Sequence, residues 1–157
     1  MTAAERRLTR SRPSPASRRV GYGIAVAVDL LMLYLINIQP GWDAVPFLTD
    51  DFVQVLYVIN VALVVGAAVN VLYLGYDARW SVALGGLATT GVGLVALTRI
   101  WSVFPFAFSS GSNWELVVRV LLVLAMVGSG IALIVQLVQL VVGLTRASEG
   151  RSDERVP

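Results

Sequence analysis

The sequence has 157 residues, 57% of them apolar and 14% charged, with a formal net charge of +2, against roughly 45–50% and about 25% in soluble domains. It contains no cysteine and no histidine, which excludes disulfides, thiol chemistry, the usual zinc and copper sites and the commonest general base. All twelve basic residues are arginine, so their positions say more than the net charge.

The first segment, 1–19, "MTAAERRLTRSRPSPASRR", holds six arginines against one glutamate. It is rich in Arg, Ser and Pro with nothing to bury, so it is expected to be a disordered tail. A basic stretch before an apolar run is also how a cleaved export signal begins. Here the run is long, no Ala-x-Ala pattern follows, and three further runs come after it, so a retained first helix is expected. Nucleic-acid binding is not expected of the arginines, because no aromatic platform or binding fold accompanies them. Their expected contact is anionic lipid, worth about 1 kcal/mol per charge near a bilayer surface.

The first apolar run is "VGYGIAVAVDLLMLYLINI" (20–38). It contains ten Val, Leu or Ile residues, worth roughly 3–6 kcal/mol of insertion free energy, and a central Asp29 could cancel about 2.5–3.5 kcal/mol of that. Asp29 must therefore face the protein interior and find a partner, or stay protonated. The second run, "FVQVLYVINVALVVGAAVNVLYL" (52–74), carries Asn60 at a similar depth, making it one possible partner.

The third run, "VALGGLATTGVGLVALTRIWSVF" (82–104), is rich in Gly and Thr and includes Arg99. The fourth, "ELVVRVLLVLAMVGSGIALIVQLVQLVVG" (115–143), begins with Glu115 and Arg119. "SNWE" fits a capping box with Ser112 as N-cap and Glu115 three residues on. Glu115 and Arg119 stand in the favourable order for an i,i+4 ion pair. Counting down each helix, Arg99 lies roughly 7 Å and Arg119 roughly 6 Å below the same surface, from which long arginine stems can lift their charge. The remaining segment, 145–157, balances three acids against three arginines and is expected to be a second disordered tail.

Each run reaches the ~20 residues a helix needs to cross about 30 Å of hydrocarbon. None shows strand alternation or the polar stripe of a soluble bundle. The expectation is an all-α integral membrane protein: an antiparallel bundle of four transmembrane helices (20–144) with short loops and disordered ends. If the chain starts in the cytoplasm, ten arginines lie on that side, counting Arg79, and none in the loops "QPGWDAVPFLTDD" and "PFAFSSGSNW". That asymmetry argues for a plasma-membrane protein with both termini cytoplasmic. The two loops also share a Pro-Phe pair, at 46–47 and 105–106.

Small residues recur at helical spacing in every run: Gly21 and Ala25, Ala62 and Gly66, Gly85, Thr89 and Gly93, Ala125 and Ser129. In lipid such faces let helices approach closely, and the third helix is the expected centre. Asn70, Thr90, Gln136 and Gln139 read as interhelical hydrogen-bonders or, less simply, as a polar path for an ion. The charged residues suggest one neutral cluster, Asp29 and Glu115 against Arg99 and Arg119, with Asn60 beside Asp29. On that reading, Asp29→Arg impairs assembly and Arg99→Asp partly restores it.

Three functions follow in order. The first is a non-enzymatic membrane scaffold or a subunit of a membrane assembly, with the bilayer and itself or other membrane proteins as partners and no cofactor or metal. The second is a small oligomeric proton-coupled transporter or channel using Asp29. One embedded acid in the first of four helices resembles the layout of small multidrug-efflux pumps, although those use a glutamate in a different sequence context. An enzyme comes last: an intramembrane aspartyl protease needs two facing aspartates, and Asp29 is the one aspartate inside a run, Asp77 lying in a loop.

Overall fold

The computed structural model describes residues 14–76, 79–109 and 111–153, with the side chains of 15, 79 and 142–153 outside that description. The arginine-rich segment 1–13, Asp77 and residues 154–157 therefore lie outside the described residues. What is described is helical, with no strand among it: α1 (Pro15–Asn37), α2 (Val53–Gly75), α3 (Arg79–Val103) and α4 (Trp114–Asp153), plus single 3-10 turns at Trp42–Ala44 and Asp50–Phe52. Four of these helices are long and apolar enough to cross a membrane.

The helix ends follow local chemistry. Ser14 caps α1 by accepting the Ser17 N–H at 3.2 Å, with Pro15 at the first helical position, where a missing N–H costs nothing. Residues 15–19 thus belong to α1, whose cap lies six positions before the apolar run. At the other end α4 continues to Asp153. Extending an existing helix needs no new nucleus, and "LTRAS" is built from residues that tolerate it. The start of α4 also differs from a capping box. The Ser112 hydroxyl accepts the Trp114 N–H at 3.3 Å, which leaves Glu115 free for another contact.

Each helix packs on its chain neighbour: α1 on α2, α2 on α3, and α3 on α4, while α1 and α4 make at most marginal contact. The helices form an open row, with α2 and α3 inside and α1 and α4 flanking. Along the first seam Asn37 meets Asn60, Asp29 meets Gly66 and Tyr22 meets Tyr73, so one helix rises as the other descends. The end carrying the 38–52 and 104–113 connections is called the loop end below; the connection after Gly75 lies at the turn end.

Close approach depends on three glycines. A Cβ at position 66 would lie 2.8 Å from the Asp29 carboxylate, one at 85 would collide with Tyr73 and Val69, and one at 86 would meet Gln136 at 3.4 Å. Tyr73 is buried, its ring 5.1 Å from that of Tyr22 and its hydroxyl donating to the Val82 carbonyl at 2.9 Å. It thus ties α1, α2 and α3 near the turn end. The other small stripes find no such use: Cβ atoms at Gly21, Gly93, Gly128 and Gly130 would meet open space.

At the loop end the two connections join each other. Leu48 and Phe106 form an isolated antiparallel bridge, with Thr49 N–H donating to the Pro105 carbonyl at 3.1 Å and Ala107 N–H to the Phe47 carbonyl at 3.0 Å. The shared Pro-Phe pairs are therefore the two sides of one contact. Rings line it: Phe47 and Phe106 both stack on Phe108, at 6.2 and 6.1 Å, and Phe104 meets Phe106 edge-on at 5.3 Å. The bridge fastens α1 and α2 to α3 and α4 through main-chain bonds.

Candidate functional site

Asp29, Asn60, Glu115 and Arg119, four of the polar residues singled out in the sequence, fall into three separate places. The first is the α1–α2 seam. Asp29 is half-buried, its carboxylate against the bare backbone of Gly66. Among the described residues no hydrogen bond or ion pair engages it. Asn70, one turn beyond Gly66, turns inward on its own helix and donates to the Gly66 carbonyl at 2.9 Å.

The second place is eight residues, about 12 Å, closer to the loop end. There Asn60 and Asn37 exchange two side-chain hydrogen bonds, at 2.9 and 2.8 Å, and Asn37 also donates to the Leu33 carbonyl at 2.8 Å. Each amide uses both its donor and its acceptor, which is how such groups are best satisfied away from water. Asn60 is therefore the partner of Asn37, not of Asp29. The cause is register. Asn37 ends α1 yet faces a residue seven positions into α2, so α1 stops about two turns short of α2. Residues 38–49 fill the step: Gly41, at φ 90°, donates to the Leu35 carbonyl, and Trp42 stacks on Phe52 at 5.6 Å. Depth counted from helix ends assumed level tops, and the tops are not level.

The third place is the start of α4. Arg119 donates from Nε to Glu115 at 3.1 Å and pairs with it through a second nitrogen at 3.0 Å. Its guanidinium also lies 3.9 Å over the Phe104 ring and 5.5 Å from that of Trp101. Phe104 adopts φ 45°, a left-handed conformation that costs a side-chain-bearing residue roughly 1–2 kcal/mol. Position 104 ends α3 with its N–H on the Ile100 carbonyl, where glycine is usual. The ring's contacts with Arg119 and Phe106 hold a bulky residue there instead.

Arg99 belongs to none of these. It is exposed and separated from Thr90 by nine residues, two and a half helical turns, so it points away from the α4 side of α3. That opposite side is marked by Gln136 of α4 donating to Thr90 at 3.2 Å. Arg99 and Arg119 therefore do not share a face. Nor does either arginine reach Asp29. Tyr73 against Val82 and Val69 against Gly85 set Arg99 level with residue 55 or 56 of α2. Asp29 lies level with Gly66, about 15 Å lower. The single cluster expected from the sequence is thus divided. Asn37, Trp101 and Phe104 are the members that sequence reasoning passed over; Asn37 closes its apolar run, where it reads as a helix end.

Gln136 fits beside α3 because Gly86 lacks a side chain, and its carbonyl oxygen has no hydrogen-bond partner. Thr89 spends its hydroxyl on the Gly85 and Gly86 carbonyls of its own helix. Among the described residues, then, polar groups within the helices make isolated pairs rather than a continuous path. No known family model, curated protein or solved structure matches this chain, so its role is argued from this geometry.

Proposed function

We propose that the protein is a polytopic plasma-membrane protein, an antiparallel bundle of four transmembrane helices with both ends of the sequence in the cytoplasm. Its role is that of a non-enzymatic scaffold or a subunit of a membrane assembly. One observation carries the reading: the chain is apolar on its outside. Among the described residues the buried apolar side chains are few, Phe52, Val55, Ala67, Tyr73, Ala96, Pro105 and Leu122, while Leu, Val and Ile lie on the exposed faces of all four helices, α1 and α4 most of all. Patches of this extent mark a membrane or a partner as the surrounding medium. The open row adds to it, since among the helices α1 packs chiefly on α2 and leaves its remaining faces for lipid or another subunit.

The absence of cysteine makes the topology directly testable. With Ser109→Cys and Ser148→Cys as single probes, an impermeant maleimide added to intact cells is expected to label position 109, and position 148 after lysis. The opposite pattern inverts the proposed orientation. Native mass spectrometry of gently extracted protein should show subunits or companions beyond a lone chain.

A second reading, a small oligomeric proton-coupled transporter or channel, draws on the unengaged carboxylate of Asp29 at the α1–α2 seam. The two readings part at Asp29→Asn. A scaffold tolerates the substitution, whereas a transporter loses pH-gradient-driven flux in proteoliposomes with its fold intact.

A further inference from the structure

A groove and the cation at its mouth remain outside these contacts. Between α2 and α3 runs an apolar groove of about 430 Å³, lined by Tyr57, Val58 and Val61 on one side and Ala88, Val92 and Val95 on the other. That volume is within the ~300–1,000 Å³ typical of ligand sites. Gly91 deepens it, because a Cβ there would meet nothing within 4 Å. Arg99 stands four residues beyond Val95, seven beyond Val92 and eleven beyond Ala88, which puts it on the groove-lining face of α3 at the loop-end mouth. It is exposed, and among the described residues no acid or carbonyl engages its guanidinium. Arg119, by contrast, has Glu115 and two rings.

We infer that this groove is a binding site for an anionic phospholipid, with one acyl chain along the groove and the headgroup phosphate on Arg99. The inference rests on the membrane reading above. Arg99 lies four residues, about 6 Å, from the end of α3, a depth from which its side chain reaches the phosphate level. A guanidinium held in apolar surroundings needs an anion, and its planar donors match phosphate oxygens two at a time. The facing helix supplies little competition. Gln54, on the α2 face shared by Val58 and Val61, donates to Asp51 at 2.8 Å. Thr98 and Ser102, beside Arg99, donate to carbonyls of their own helix. The occupant therefore has an apolar tail and a negative head, and a bilayer offers that combination everywhere.

The test is native mass spectrometry of the full chain in detergent doped with phosphatidylglycerol or phosphatidylcholine of identical acyl chains. Wild type should retain phosphatidylglycerol at least fivefold more than phosphatidylcholine, and excess inorganic phosphate should not displace it. Arg99→Gln should abolish the preference while Arg119→Gln keeps it, and Ala88→Phe, which fills the groove, should lower retention with Arg99 intact. Equal retention of the two lipids by wild type overturns the site, and that comparison needs no variant to fold. So does a copy–copy contact that Arg99→Gln abolishes without regard to lipid. Protein that stays in carbonate-washed membranes yet shows no lipid preference defeats this inference alone; protein released into detergent-free buffer as a soluble monomer defeats the membrane reading itself.

Discussion

Two asparagines on different helices each donate to and accept from the other, and breaking that exchange has a cost at both ends. Asn37→Leu removes one partner and leaves the Asn60 amide with neither donor nor acceptor met. Interhelical hydrogen bonds in membranes average about 0.6 kcal/mol and reach about 1.7, so a loss of roughly 1 kcal/mol is expected in a denaturing-detergent titration. The double variant with Asn60→Leu should recover part of it, because two apolar residues leave no unmet group. A purely additive pair would show that the amides do not interact. At Arg119 the ring contacts and the ion pair can be separated. Glu115→Gln should cost only about 0.3–0.5 kcal/mol, given an exposed i,i+4 pair. Arg119→Ala should cost more, about 1–2 kcal/mol, since it also uncovers Phe104 and Trp101. Equal losses would mean that the rings contribute nothing.

Between helices, the positions without side chains decide the spacing. Gly85→Ala pushes a methyl group into Tyr73 and Val69 and should cost about 1–3 kcal/mol. Gly93→Ala, two turns along the same helix and facing open space, should be neutral or gain up to about 1 kcal/mol from helix propensity. Thermal melts in detergent would resolve the difference. The charge swap between Asp29 and Arg99 should fail: with about 15 Å between their levels, Arg99→Asp cannot restore Asp29→Arg. Rescue would mean that the α1–α2 register is wrong.

These contrasts also show what could be read from residue order. Helix existence was legible to within a few residues for α2 and α3, because their apolar runs are far longer than a strand and show no strand alternation. The Glu115–Arg119 spacing was legible because a helix fixes it. Register was not. The two-turn step between α1 and α2 is set by how residues 38–49 fold back through Gly41 and Trp42, and no periodicity encodes that. The small stripes were readable as faces but not as partners: Gly66, Gly85 and Gly86 are filled from across a seam, while Gly128 and Gly130 are not.

Taken whole, the protein is two helical pairs in an open row rather than a closed ring. They are joined by the seam between α2 and α3, by Tyr73 near the turn end, and by the main-chain bridge between their loops. With that bridge and the α2–α3 seam, the two halves are expected to recognise each other without a covalent link. Co-expressed as separate polypeptides, 1–76 and 77–157 should insert independently and then complement each other, eluting as one heterodimer in mild detergent. Proline in place of Ala107, which deletes the amide that Phe47 accepts, should weaken reassembly of the fragments far more than it weakens the uncut chain.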